Sequence, residues 1–211
     1  MCRKKVLIFC ATAICVFYNS SALSNDGGHA LGDRIEPSKI ESWKQNRDEV
    51  LSRTPQGDIE DVKGPRRIYL YDAELFQAYS EYTGYMMKLP LDQRHRELAI
   101  LVIAREWDAP YEWWAHESGA RRAGISDAVI EAIRAKQTPM FDKPDEQIVY
   151  DYTREIVTLH RVSDKTYKKA WDLLDTDKLI KLTWFISHYC SVAVALNAHE
   201  IALPEGVKNP F

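Results

Sequence analysis

The stretch that decides the fold runs from Glu97 to Gly124 and reads ELAILVIAREWDAPYEWWAHESGARRAG. Its first part is an apolar run that contains Glu97 and is interrupted at Asp108–Pro110. Proline lacks a backbone N–H and disfavours helix in the residue before it, so a new helix is expected to begin at this proline. On that second helix Glu112 and His116 are four residues apart, and both therefore project from one face.

A helical hairpin across this break would bring Glu97 back towards Glu112 and His116. Two carboxylates and an imidazole that converge in an apolar setting can have their pKa values pushed apart for acid–base chemistry. The aromatic side chains of Tyr111 and Trp114 lie in the same turn and are expected to exclude water. We therefore predict Glu97, Glu112 and His116 as catalytic residues, with Tyr111 and Trp114 lining the substrate pocket. The alternative is an ordinary surface pair of Glu112 and His116 on an exposed helix.

The same residues carry a resemblance to a known family. The sequence resembles the carboxymuconolactone decarboxylase-like superfamily, which also contains the alkylhydroperoxidase D-like proteins, over roughly Leu70 to Glu205. The matching features are the spacing of Glu97, Glu112 and His116, the triplet Tyr111-Glu112-Trp113, and the segment Ala120-Arg121-Arg122-Ala123-Gly124. This resemblance implies a paired-helix core and a ring-like homo-oligomer, often a trimer or a hexamer.

The resemblance also implies two kinds of activity. One is acid–base chemistry on a small carboxylated or lactone substrate, such as decarboxylation with double-bond movement, and the other is thiol-dependent hydroperoxide reduction. In the redox branch a Cys-x-x-Cys pair precedes the histidine, and its two positions correspond to Ala109 and Glu112 here. Many non-redox members keep a cysteine at the first position and a glutamate at the second, and this chain keeps only the glutamate. We therefore predict the acid–base activity, with peroxidase activity or a non-catalytic ligand-binding role as alternatives.

The expected mechanism requires no cofactor, because the three side chains can move protons unaided. His116 transfers a proton, Glu112 orients it or acts as the partner acid, and Glu97 holds the imidazole tautomer or stabilises the imidazolium. The spacing of Glu112 and His116 would also suit two metal ligands on one helix, and Glu97 could complete a two-carboxylate, one-histidine site. We predict no metal, and a metal-binding variant is the alternative.

Composition and cysteine content limit the other possibilities. The 211 residues are enough for one domain with additions, and the formal net charge of −3 does not suggest nucleic-acid binding. Three of the four cysteines, Cys2, Cys10 and Cys15, lie in the first segment, and only Cys190 follows it. A single remaining thiol excludes an intrachain dithiol couple and a C-x-x-C zinc site in the rest of the chain.

The N-terminal segment has the layout of a secretory signal. The basic residues Arg3–Lys5 precede the apolar run Val6–Tyr18, and small residues follow at 20–24. We predict a signal peptide near 1–24 and export to the periplasm or beyond, with an uncleaved membrane anchor as the alternative. Residues 25–65 are expected to form an arm with a short helix.

The resemblance assigns residues 66–211 to a carboxymuconolactone decarboxylase-like helical domain. From Asp72 the pattern is helical throughout, and no convincing alternating strand run is present in the sequence. Helices are predicted over 72–88, 93–107, 110–123, 127–136, 144–161 and 164–174, followed by a last helix to about Ala202 that Asp175 or Thr176 caps. The fold class is therefore all-α, a compact helical bundle. The last helix is apolar on most faces, with Trp184, Phe185, Ile186, Tyr189, Val192, Val194 and Leu196, which predicts a homo-oligomer built on this helix.

Overall fold

The computed structural model describes Gln45, residues 64–69 and residues 71–211. Apart from Gln45, Gly64 and Pro65, the predicted signal segment 1–24 and arm 25–65 lie outside the described residues. Those two assignments, and the export that depends on the first, stay predictions.

The part of the chain that the structure describes is all-helical and contains no strand, which confirms the predicted fold class. Its helices are α1 (Arg66–Tyr69), α2 (Ala73–Met87), α3 (Gln93–Glu106), α4 (Pro110–Ala123), α5 (Asp127–Arg134), α6 (Pro144–Leu159) and α7 (Asp164–Ala198). Helix α3 is central, because it packs against α4, α5, α6 and α7.

Helices α3 and α4 form the predicted hairpin. Seven consecutive residues of α3, from Leu98 to Ala104, are buried, so this helix has no solvent-facing side over two turns. The chain then reverses at Asp108, which has a left-handed φ of 47°. Helix α4 begins at Pro110 and ends before Gly124, whose φ of 92° is a left-handed conformation that glycine adopts without steric cost. The limits of α4 therefore agree with those predicted from the sequence.

Side-chain caps fix where several helices begin. An oxygen of the residue that precedes the helix accepts a hydrogen bond from a backbone N–H of the first turn, which would otherwise lack a partner. Asp72 caps α2, Asp92 caps α3, Ser126 caps α5 and Ser163 caps α7. Asp72 therefore precedes its helix, whereas the sequence pattern places it inside the helix over 72–88.

A polar network joins the start of α3 to the start of α6. The guanidinium of Arg94 donates to Asp145 and to the buried Glu146, and His95 Nε2 lies 2.9 Å from Asp145 Oδ2. Lys143 Nζ donates to Glu146 Oε1 at 3.2 Å. The buried carboxylate of Glu146 is therefore compensated by two cations, which makes its burial tolerable.

Helix α7 contains one non-helical residue, Asp175, with φ 63° and ψ 174°. Its side chain accepts a hydrogen bond from the N–H of Lys178 at 3.1 Å, so Asp175 caps the segment that follows, as expected from the sequence. By length and composition α7 could cross a membrane, with a mean hydropathy of 1.4 over its most apolar 18-residue window. Half of that window is buried inside the protein, and the core helix of a globular protein meets the same criteria.

The apolar side chains of α7 lie mainly in the core of the chain itself. Seven apolar residues of this helix suggest an oligomer from the sequence. Five of them are buried within the chain: Phe185, Ile186, Tyr189, Val192 and Leu196. Trp184 and Val194 are exposed, and Trp184 retains 59% of its accessible surface. Most of the apolar surface of the last helix is therefore buried in the core of this chain, and only a smaller part of it is left for a partner subunit.

The conformation of Asp175 yields a test by substitution. Its φ and ψ lie in a region that is essentially restricted to glycine, at a cost of about 1–3 kcal/mol for other residues. We expect Asp175→Gly to raise the free energy of unfolding by about 1 kcal/mol, since glycine at a helix start loses only a few tenths. Asp175→Ala should lower it by about 1 kcal/mol, because the cap is lost and the strain remains. Urea denaturation of both variants measures this, and a glycine variant less stable than the wild type would contradict the strain.

Candidate active site

Glu97 of α3 and His116 of α4 meet across the hairpin. The Oε2 atom of Glu97 lies 3.0 Å from Nδ1 of His116, and 13% and 25% of the two side chains are exposed. For the Glu97 carboxylate to accept this hydrogen bond Nδ1 must be the donor, and this tautomer leaves Nε2 as the nitrogen that faces a ligand as an acceptor. The contact expected from the sequence between a carboxylate and His116 is present, and the catalytic role of the pair remains a prediction.

The absence of a side chain at Gly119 allows this contact. Gly119 is buried on α4, one turn after His116, and faces the carboxylate of Glu97. A Cβ atom at this position would lie 2.9 Å from Oε1 and 3.1 Å from Oε2 of Glu97. The glycine therefore opens the space that the Glu97 carboxylate occupies beside His116.

Glu112 projects from the same helix as His116 but is placed differently. It is 2% exposed, and neither of its carboxylate oxygens has a hydrogen-bond partner among the described residues. Burial raises the pKa of the Glu112 carboxyl well above its usual range, because the charged form would be without solvent or a counter-ion. The structure thus brings together two of the three predicted catalytic side chains, while the third is a separate buried acid that retains its proton.

Tyr189 of α7 is a site residue that sequence reasoning missed. Its ring lies edge-on to that of His116, with centroids 5.2 Å apart. Burial raises the pKa of its hydroxyl. From the sequence, Tyr189 belongs to the apolar surface of the last helix that predicts an oligomer. Helical spacing alone does not tell which neighbour a buried face contacts.

Tyr111 and Trp114 form an aromatic pair with ring centroids 5.3 Å apart. Tyr111 packs beside the buried residues Val192, Leu196 and Ile201, and Trp114 is exposed. Tyr111 also lines a groove of about 380 Å3, whose other walls come from the turn before α4 and from residues 196–209. Glu97, Glu112 and His116 are not among the residues lining that groove, so a pocket wall around the acid–base residues remains a prediction.

Two alternatives to the acid–base site are a metal site and a reactive thiol. No group of three or more His, Cys, Asp or Glu side chains within residues 64–69 and 71–211 is arranged to hold a metal ion. Cys190 is half-buried, and burial raises the pKa of its thiol to about 11. Such a thiol is almost entirely protonated at neutral pH, whereas reactive cysteines are thiolates.

The close approach at Gly119 predicts different outcomes for two glycine substitutions. Gly84, in the interior of α2, has open space where a Cβ would be added, so Gly84→Ala should raise the free energy of unfolding by about 0.5–1 kcal/mol through helix propensity. Gly119→Ala should gain less, because its Cβ displaces the Glu97 carboxylate. Urea denaturation compares the two stabilities, and a crystal structure should show the contact between Glu97 and His116 lengthened beyond 3.5 Å. Equal gains with an unchanged contact would contradict this account.

Burial of Glu112 predicts a dependence of stability on pH. Above about 4.5 the unfolded chain loses this proton while the folded protein keeps it, so stability falls as the pH rises, by at most about 1.4 kcal/mol per unit. Glu112→Gln cannot ionise, and its free energy of unfolding relative to the wild type should therefore rise between pH 5 and pH 7. Urea denaturation at each pH measures this, with the exposed Glu205→Gln as control. A constant difference across the range would show that Glu112 ionises normally.

Comparison with known proteins identifies a family for part of the chain. Residues 73–155 match the sequence model described as the Carboxymuconolactone decarboxylase family, and no curated protein matches the chain at a significant level. The matched segment runs from α2 into α6 and includes Glu97, Glu112 and His116. The chain therefore carries, over residues 73–155, a domain of the carboxymuconolactone decarboxylase-like superfamily.

Proposed function

We propose that the protein is a cofactor-free acid–base enzyme that acts on a small carboxylated substrate, through decarboxylation with isomerisation or through lactone chemistry. The observation that carries this proposal is the 3.0 Å contact between Glu97 and His116 inside the hairpin. No described residue bonds the second ring nitrogen of His116, and a histidine held through one nitrogen by a carboxylate is the usual arrangement of a general base.

In the proposed reaction His116 Nε2 removes a proton from a carbon atom next to a carbonyl group of the substrate. Glu97 keeps the proton on Nδ1 before the transfer and stabilises the imidazolium afterwards. In isomerisation His116 then returns the proton to a different carbon, which moves the double bond. In decarboxylation the bond to the substrate carboxylate breaks instead, carbon dioxide leaves, the electron pair of that bond forms an enolate, and the imidazolium of His116 protonates the enolate carbon with a proton that His116 has taken from solvent. Each step transfers only protons and electron pairs, so no oxidant or reductant is consumed.

Glu112 supplies the complementary acid. Because its buried carboxyl keeps its proton, it can donate a hydrogen bond to the substrate oxygen on which negative charge develops. It lies four residues before His116 on α4, so an acid and a base are presented from one helix. This division of roles between two carboxyls in unlike environments supports acid–base chemistry over a purely structural site.

Activity assays test this proposal directly. A panel of unsaturated lactones and carboxylated substrates should include at least one that the wild type turns over. His116→Gln should then lower kcat by about 10²–10⁴-fold, since it removes the general base, whereas Cys190→Ala should leave kcat unchanged. Reduction of an organic hydroperoxide with a dithiol should stay at background for the wild type and for Cys190→Ala.

Two outcomes would redirect the proposal. Hydroperoxide turnover that disappears in Cys190→Ala would favour the thiol peroxidase alternative. Tight binding of panel compounds without any turnover would favour a non-catalytic ligand-binding member of the fold.

We further propose that the protein is a homo-oligomer whose interface includes the exposed aromatic and aliphatic residues between α2 and α7. Tyr85, Ile180 and Trp184 all expose more than half of their surface there, although they are large apolar residues. Burying such a surface against another copy of the chain would remove it from water at about 25 cal/mol per Å2. The resemblance to ring-forming proteins points in the same direction.

Substitution at Trp184 tests the oligomer. Because this side chain is exposed within the chain, Trp184→Glu should leave the fold intact while lowering the molar mass measured by light scattering. Trp171→Glu changes an exposed tryptophan on the first segment of α7 and should leave the mass unchanged. A wild type that is monomeric at micromolar concentration would contradict the proposal.

A further inference from the structure

Tyr189 of α7 lies against the ring of His116, and the proposed reaction gives it no role. The two ring planes are almost perpendicular, at 88°, and their centroids are 5.2 Å apart. Tyr189 is 6% exposed, whereas 25% of the His116 side chain is open to solvent. The tyrosine ring therefore forms a buried wall on one side of a histidine that is partly exposed on another.

The contact with Glu97 leaves one movement of His116 open. It fixes the position of Nδ1, which lies 3.0 Å from the carboxylate oxygen. A hydrogen bond keeps most of its strength over a broad range of angles, so this contact does not set the plane of the imidazole ring. The torsion about the bond between Cβ and the ring does not set it either, because this bond has broad minima. A second contact is needed to fix where Nε2 points, and the ring of Tyr189 supplies one.

We propose that Tyr189 is a positioning residue of the acid–base site, whose ring holds the plane of the His116 imidazole so that Nε2 keeps one direction towards the substrate. The role rests on the proposed function, because Nε2 is the atom that exchanges the proton there. A general base must lie within hydrogen-bond reach of the proton that it removes, and a displacement of about 1 Å can cost about a hundredfold in rate. Holding the ring plane therefore affects the rate through His116.

Tyr189 can hold another ring because its own ring is held. The rings of Phe185 and His188 pack against it, with centroids 4.9 and 5.2 Å from its own, and both of these neighbours are buried. A ring enclosed in this way cannot move without displacing its neighbours, since protein interiors are close-packed. The contact with His116 thus comes from a firmly packed part of α7.

The proposed role belongs to the ring of Tyr189 and not to its hydroxyl. The hydroxyl donates to the sulfur of Met87 on α2, at 4.0 Å, and a thioether is a weak acceptor. Since burial raises the pKa of this hydroxyl, it keeps its proton at neutral pH and does not compete with His116 as a base. Replacement by phenylalanine therefore preserves the role, and replacement by leucine removes it.

Carbon-13 NMR relaxation of the His116 ring tests the role without any substrate. In the wild type the imidazole of His116 should be as rigid as that of the buried His188 and more rigid than that of the exposed His160. In Tyr189→Leu the order parameter of the His116 ring should fall from about 0.85 to below about 0.6, because the wall beside it is gone. An unchanged order parameter in this variant would overturn the proposal.

Tyr150→Leu is the matched control. Tyr150 of α6 is also 6% exposed and loses the same atoms on substitution, but it packs against Phe141. Both leucine variants should lose stability, as truncation of buried aromatic residues does, and only Tyr189→Leu should loosen the His116 ring. Tyr189→Phe should keep that ring rigid. Equal loosening in the two leucine variants would show a general packing effect and would refute the positioning role.

The wild type decides the question if Tyr189→Leu does not fold. A rigid His116 ring whose protons show nuclear Overhauser effects to those of the Tyr189 ring would support the role. A His116 ring as mobile as that of His160, or a rigid one without these effects, would overturn it.

Kinetics extend the test to the reaction. With a panel substrate that the wild type turns over, Tyr189→Leu should lower kcat about tenfold to a hundredfold while KM changes less than about twofold. Tyr189→Phe should recover most of this loss, and Tyr150→Leu should retain kcat. Equal losses of kcat in the two leucine variants would contradict the role. If no panel substrate is turned over, the proposed function fails, and the relaxation of the His116 ring still decides the role of Tyr189.

Discussion

The contact between Glu97 and His116 determines how α3 and α4 can pack. Helix α3 is buried along its middle, and a carboxylate at its edge is tolerated only where a partner compensates it. His116 supplies that partner at 3.0 Å, and Gly119, one turn later, leaves room for the carboxylate. The spacing of these residues on α4 therefore has a structural reason as well as a chemical one, since a side chain at 119 would displace the Glu97 carboxylate from His116.

Glu112 shows the opposite solution for a buried carboxyl. It has no compensating cation or donor among the described side chains, so it avoids the cost of a buried charge by keeping its proton. Glu97 and Glu112 thus differ in environment although both belong to the hairpin. A base held by one carboxyl and an acid formed by the other can operate at the same pH, which is the arrangement that proton-transfer enzymes require.

The sequence predicts those features that depend on local chemistry. Pro110 and Gly124 set the limits of α4 through backbone conformation, and Asp175 starts the second part of α7 through a side-chain cap, so all three could be read without tertiary information. Helical spacing places Glu112 on the same face of α4 as His116 but does not tell how deeply it is buried. The sequence therefore does not decide which of the two carboxylates contacts His116. The surroundings of Tyr111 and the burial of Tyr189 likewise depend on how α7 packs, which no local pattern encodes.

Helix α7 connects the proposed acid–base site to a second buried histidine, His188. The ring of Tyr189 lies 5.2 Å from that of His116 on one side and 5.2 Å from that of His188 on the other. Both histidines therefore contact the same buried side chain, and a change in the packing of the rings around His188 acts on Tyr189 as well. Close packing transmits such displacements, because a buried ring cannot move without moving its neighbours. A substitution of His188 that repacks these rings is thus expected to alter the environment of His116 through Tyr189.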